Sequence, residues 1–442
     1  MKYKKYPSYK DSGIEWLGEI PEHWNQRKIK HFAQTIPGGT PSTIEPEYWN
    51  GDIPWLPSGA VQNCIINEDR VIKFITKKGL YNSATKYISP NSTLIALTGA
   101  TCANIGYLTF KSTANQSVVG IVTQKSTCDK YVFYSLISQK SQILVKRTGG
   151  AQAGINEQDV KDIFISYPPI QEQQQIANFL DKATAKIDTL IGKQTKQIEL
   201  LKEKQQAVIS HAVTKGINPN VPMKDSGVEW LGEIPEHWEV KKLGLITSKI
   251  GSGKTPRGGS EVYTDSGILF LRSQNIYDGG LFLDEVVYIS EEINNEMLNT
   301  QIKDGDILLN VTGGSIGRTC LIPSNFQKAN VNQHVCIIRL NTKKDRVFIS
   351  YFMKSALIKS QIDGIQNGAA REGLNFEQIS GFKIVLPPQN EQNEIVNYIN
   401  YKSSKIDTLI EKSNKSIELL KEKRTALISA AVTGKIDVRE FE

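Results

Sequence analysis

Residues 251–255 read Gly-Ser-Gly-Lys-Thr, which resembles the end of a phosphate-binding loop. Such a loop cradles phosphate with backbone N–H groups and a lysine. The full pattern needs a glycine five positions before Gly253, and Ser248 stands there. The stretch is better read as a glycine turn that offers Lys254 and Thr255 to a phosphate backbone. Methyl transfer to DNA would require a glycine-rich cofactor loop and an Asn/Asp-Pro-Pro-aromatic motif. The Pro-Pro sites are Tyr167-Pro168-Pro169-Ile170 and Leu386-Pro387-Pro388-Gln389. Neither has the polar residue before or the aromatic after, and both suit helix starts. Glu203-Lys204 and its repeat look like scraps of a nuclease E-x-K pattern, but lie in a helical stretch. Cys64, Cys102, Cys128, Cys320 and Cys336 form no C-x-x-C pair, and the five histidines show no H-E-x-x-H spacing. The expectation is a chain with reduced thiols and no catalytic site, metal or cofactor of its own.

The 442 residues suit two to four domains, and 39% apolar with 22% charged residues describes a globular protein. No window approaches the ~18 apolar residues of a membrane helix. The basic, aromatic residues 1–10 precede no apolar stretch, so a cytoplasmic location is expected. The net charge of +7 permits a phosphate-backbone partner without demanding one.

The chain is written twice. Residues 10–24 and 224–238 differ only at Ile14 against Val228. Residues 168–217 and 387–436 match at over half of their positions, including IDTLI and IELLKEK in each. The period, about 215 residues, is too long for a solenoid and implies two homologous halves with pseudo-twofold symmetry. Between the matching ends the halves diverge, leaving scattered anchors. Thr40-Pro41 aligns with Thr255-Pro256, and Thr98-Gly99 with Thr312-Gly313. Ile105-Gly106 aligns with Ile316-Gly317, Asn115-Gln116 with Asn332-Gln333, and Gly150-Ala151 with Gly368-Ala369.

Each half closes on a long helix with apolar steps of three and four. Ile187, Leu190, Ile198 and Leu201 mark the seam of the first, and Ile406, Leu409, Ile417 and Leu420 that of the second. Between Leu190 and Ile198 the pattern gains four residues, which reads as a stutter. About 43 residues at ~1.5 Å each make a helix of roughly 60 Å. Two nearly identical seams favour the helices packing on each other over each packing on its own lobe. The divergent segments read as α/β: strands at 93–97, 118–122, 267–271, 307–311 and 335–340, helices at 131–146 and 347–361. The expected organisation is residues 1–167, a helix at 168–217, residues 218–386, and a helix at 387–442.

These residues resemble the specificity subunits of type I restriction–modification enzymes over nearly the whole chain. The carriers are E-W-L-G-E-I-P-x-H-W (15–24, 229–238), G-G-T-P-S with D-I-P-W (38–42, 52–55), T-G-x-x-I-G with N-Q (312–317, 332–333), and L-P-P-x-x-E-Q (386–392). The first copy departs in having Tyr167 for leucine and a longer Thr98–Gly106 loop. The resemblance implies two α/β target-recognition domains, 1–167 and 218–386, each reading half of a split site in double-stranded DNA, separated by helices that form an antiparallel coiled coil. It implies two methyltransferase subunits that carry S-adenosylmethionine, and restriction subunits that join for cleavage. The alternative is a freestanding DNA-binding or scaffold protein with a coiled-coil spacer.

Direct readout favours Arg, Lys, Asn, Gln, Ser and Thr on loops. In the second lobe the candidates are Lys254, Thr255, Arg257, Arg272, Ser273, Gln274, Asn275 and Arg371. In the first they are Thr40, Ser58, Gln62, Asn63 and Gln152.

Overall fold

The computed structural model describes residues 3–147, 153–342, 345–366 and 373–441. It divides into two compact units, residues 1–194 with 415–442, and residues 195–414. The division runs through both long helices, Ile170–Lys215 and Gln389–Val432. Each helix starts just past its Pro-Pro pair. Gln173 and Gln392 fold back to donate to the carbonyls of Pro168 (2.8 Å) and Pro387 (3.0 Å). Gly216 and Gly434, both in the left-handed region, follow the last turns.

Inside each unit the helix segments pair antiparallel. In the first, Asp188 accepts from Arg424 (3.0 Å), and Phe179 stacks near Phe441 (5.3 Å). Ile176, Leu180 and Ile187 share a core with Leu427, Ile428 and Val432. In the second, Gln205 donates to Asp407 (3.0 Å), while Ile209 and Ala212 share a core with Ile395 and Ile399. The seam differs from expectation at two positions. Leu190 is 47% exposed and Leu409 44% exposed, whereas Ile187 and Ile406 are buried. Ile191, half-buried against the first core, continues the step from Ile187. Half-burial then recurs at Gln194, Ile198 and Leu201, so no extra four residues fall between 190 and 198. The apparent stutter came from choosing Leu190 over its apolar neighbour. Ile198, Leu201, Ile417 and Leu420 are all half-buried.

Each unit carries a mixed α/β lobe. The first has a five-stranded sheet in the order Ala33–Pro37, Val118–Thr123, Ser92–Ala96, Ile105–Leu108, Cys64–Ile66. The second has a four-stranded counterpart, Thr247–Ser252, Val335–Leu340, Ile307–Asn310, Thr319–Leu321. Central strands are buried on both faces because each is covered twice. A three-stranded sheet flanks each, built on Trp49–Leu56 and on Ile268–Leu271. The expected single helices 131–146 and 347–361 are each broken. Asp129–Ser138 is followed by Lys140–Val145, and Arg346–Met353 by Ala356–Gln366. In the second unit the Ser210 hydroxyl accepts the N–H of Ala356 at the break (2.9 Å).

The repeated lead-in seals each lobe. Tyr9–Asp11 pairs with Glu19–Pro21, and Met223–Asp225 with Glu233–Pro235. Trp24 and Trp238 are the largest fully buried side chains. The following strand then pairs with the lobe's last one, Asn25 opposite Tyr167 and Glu239 opposite Leu386. Each lobe therefore enters and leaves at one point, where its helix begins.

Candidate nucleic-acid interface

Antiparallel pairing brings the ends of several strands to one edge of each sheet. In the first lobe, Pro37 faces Val119, Ala96 faces Val118, and Ile95 faces Ile105. The loops 38–41, 98–104 and 115–117 thus share an edge, and Asn63 joins them by accepting the N–H of Ile105 (2.9 Å). The second lobe repeats this with 253–257, 312–318 and 332–334, and Asp278 accepts the N–H of Thr319 (3.0 Å).

The anchors dispersed in sequence meet here. The Thr40 hydroxyl donates to the Gln116 carboxamide, and that of Thr255 to Gln333. Gly38 and Gly253 sit against the backbone of the Asn-Gln turns, where a Cβ would fall within 3.0 Å of the carbonyl oxygens of Asn115 and Val331 respectively. The glycine of the Gly-Lys-Thr stretch is therefore required by close packing of two loops. Lys254 and Arg257 are exposed beside it, and Thr255 is half-buried.

One alignment is corrected. In the first lobe Ala96 exchanges hydrogen bonds with Ala103 and Asn104, and in the second Asn310 does so with Gly317 and Arg318. Cys102-Ala103, not Ile105-Gly106, is thus the counterpart of Ile316-Gly317. Ala103 takes the left-handed backbone (φ 60°) that Gly317 takes (φ 83°). The two turns are equally long, and the apparent insertion disappears.

The remaining candidates separate by what their polar atoms already do. Ser58 and Ser273 occupy the same short helical turn after equivalent strands, and both are half-buried. Gln274 is exposed, as is Gln62, whose amide donates to Gly59 (2.8 Å). Asn275 is fully buried: its oxygen accepts from Arg272 N–H (2.9 Å) and its nitrogen donates to Phe282 (3.0 Å) and Glu285 (3.2 Å). It builds the turn and has nothing left for a base. Asn63, left-handed at φ 55°, likewise spends its oxygen on Ile105. Arg272 reaches the carbonyl of Glu285 with Nη2 (3.4 Å), while its Nε is buried without a partner. Gln152 and Arg371 lie outside the described residues. Among the described residues, Gly154 and Gly373 bridge to Thr98 and Thr312 at this edge.

Sequence reasoning passed over three residues. Gln116 and Gln333 are exposed and hold the threonine clasp; the shared Asn-Gln pair was their signal. Arg318 lies over the Tyr277 ring (4.7 Å), and nothing in the second copy alone marked it. At four equivalent positions the lobes differ in charge. Lys254, Arg257, Arg272 and Arg318 have as counterparts Gly39, Ser42, Pro57 and Asn104. Among the described residues no cluster of His, Cys, Asp or Glu could hold a metal, and no helix is long and apolar enough to cross a membrane. Burial pushes the thiols of Cys320 and Cys336 up to about 12, the wrong direction for a nucleophile.

One scaffold used twice, with different polar side chains on an equivalent edge, defines a duplicated recognition protein. A family model described as "Type I restriction modification DNA specificity domain" matches residues 21–200 and 235–419. The chain therefore belongs to the type I restriction–modification DNA specificity family, whose role is DNA recognition rather than catalysis. It is 26% identical over 448 residues to the type I restriction enzyme MjaVIII specificity subunit of Methanocaldococcus jannaschii, covering 100% of this chain and 99% of that one. It is 22% identical over 437 residues to the EcoKI specificity subunit of Escherichia coli K12, covering 95% and 90%. A solved structure described as "Structural basis underlying complex assembly and conformational transition of the type I R-M system" contains a chain of the same fold. That chain matches at TM-score 0.66 and 14% identity, over 93% of this chain and 98% of its own length.

Proposed function

We propose that each lobe, 1–167 and 218–386, reads one half of a split, asymmetric site in double-stranded DNA. The helices at 168–217 and 387–442 set the spacing between the halves. The repeated scaffold positions two methyltransferase subunits, which carry S-adenosylmethionine and methylate adenine. Restriction subunits join the same cytoplasmic assembly to cut unmethylated DNA. One observation carries this reading: matching backbone turns hold non-identical side chains at the loop edge, while the lead-in repeats with a single substitution and the long helices match at over half of their positions. Diverged sites read different sequences, and conserved surfaces meet identical partners. The tryptophans of the lead-in, Trp16 and Trp230, support the second half of that argument, since both are exposed at the same position.

The experiment is methylome sequencing of a host that carries this chain with its methyltransferase. Exchanging residues 25–165 for the corresponding lobe of a relative should alter one half-site and keep the other. A change in both halves, or methylation without a split motif, would refute independent reading.

A further inference from the structure

The two copies of the scaffold differ at one place that their sequences nearly share. In the first unit, Glu172 accepts two hydrogen bonds, from Tyr6 Oη (2.6 Å) and from His23 Nε2 (2.8 Å). Its side chain is 6% exposed. Tyr6 stands edge-on to Trp24 (5.6 Å), and the Arg439 guanidinium lies over the Tyr6 ring (5.0 Å). Trp24 Nε1 is buried without an acceptor, whereas each Glu172 oxygen already accepts one hydrogen bond.

The second unit has the same base. His237 Nε2 meets Glu391 (2.6 Å), and Trp238 is buried. Here Trp238 Nε1 takes the other Glu391 oxygen (2.9 Å). Counting back from the shared Lys10 and Lys224, Asn220 stands at the position of Tyr6, and it is exposed. The Glu391 side chain is 31% exposed. A cavity of about 240 Å³ opens beside it, lined by Gly216, Asn218, His237, Trp238, Glu391 and Ile395. Small-molecule sites run to roughly 300–1,000 Å³. This one has the size of a single side chain, with a carboxylate at its rim and an aromatic wall.

We propose that this cavity is a socket for a tyrosine borne on a basic segment of a partner protein, seated as Tyr6 and Arg439 are seated in the first unit. The incoming phenol donates to Glu391. Trp238 Nε1 then gives up its acceptor and enters the condition in which Trp24 already stands. The occupant is a different polypeptide, since each copy of this chain has its Tyr6 committed to its own Glu172. The inference rests on the proposed function only in placing the chain within an assembly, and its test uses the chain alone.

The probe is a labelled peptide of residues 1–10, which carries Tyr6 among lysines, titrated onto the full chain by fluorescence anisotropy. Saturable binding is expected. Losing one charge-assisted hydrogen bond should weaken it on the order of ten- to a hundredfold. Tyr6→Phe in the peptide and Glu391→Gln in the chain should each do so. Asn220→Tyr in the chain should abolish binding by filling the socket internally. No saturation at millimolar peptide, or binding indifferent to both Tyr6→Phe and Asn220→Tyr, would overturn the proposal. Those two arms decide it even if Glu391→Gln fails to fold. Failure here leaves DNA reading untouched, because DNA takes no part in the measurement.

Discussion

Gly253→Ala is expected to damage reading by one lobe through geometry alone. The added Cβ would fall within 3.0 Å of Val331 O, Val331 C and Asn332 O. None of these can retreat freely. Val331 lies in a strand paired with Leu271, and its carbonyl accepts the N–H of Lys254 (3.1 Å). Ordinary contact begins near 3.5 Å, so the 253–257 loop must move by about 1 Å or more. Recognition geometry tolerates about 0.5 Å. Breaking a specific pairing between a side chain and a base costs about 1–3 kcal/mol, close to ten- to a hundredfold in affinity. The assay is anisotropy titration of the assembled complex with a cognate duplex and with duplexes scrambled in one half-site at a time. Gly253→Ala should lose preference for one half only. Gly59→Ala, whose Cβ meets nothing within 4 Å, should behave as wild type. Thr255→Val removes the bond to Gln333 without adding bulk, and carries the test should the alanine variant unfold. A folded Gly253→Ala chain with unchanged preference at both halves would refute the reasoning.

Three further outcomes are expected. Lys254→Gln combined with Arg257→Gln should lower the slope of log affinity against log salt by about two, measured between low and physiological salt. Asp306→Ala should destabilise the second unit by about 3–5 kcal/mol in denaturant unfolding. It strands Arg339, which holds both oxygens of the buried Asp306 at 2.7 Å. Asp437 is held below the usual carboxylate range chiefly by its hydrogen bonds from Arg439. Its folded-state value is depressed, so its contribution is present above the ordinary aspartate range near pH ~4 and is lost as pH falls through the folded value. Melting of the first unit should therefore soften in acid, and Asp437→Asn should remove that component; an identical acid profile in the variant would count against it.

What the sequence made legible followed from the strength of each signal. The lead-in, the Pro-Pro helix starts and the glycine stops are marked by residue types with few alternatives, and they stand where expected. The seam was legible in period but not in phase. Leu190 and Ile191 are adjacent and both apolar, and only packing against the second helix decides that Ile191 faces inward. Letter identity misled at Ile105-Gly106. The backbone there follows the hydrogen bonds of Ala96, and Ala103 adopts a left-handed turn that its residue type does not advertise. The DNA candidates were chosen as polar loop residues, and residue type cannot say whether a polar group is free. Asn275 and Asn63 hold up their own turns, since a buried turn must satisfy its N–H groups locally.

That division of labour explains how two lobes can diverge without losing their shape. The threonine–glutamine clasp, the packed glycine and the left-handed turn are internal to the edge and recur in both lobes. Side chains outside these bonds are not fixed by them, and there the copies part. Where the second lobe has Lys254, Arg257, Arg272 and Arg318, the first has Gly39, Ser42, Pro57 and Asn104. Cations at a phosphate backbone supply affinity that salt screens, whereas neutral amides and hydroxyls supply discrimination that it does not. Under the proposed function, Lys254, Arg257, Arg272 and Arg318 would give the second lobe the more salt-sensitive hold on DNA.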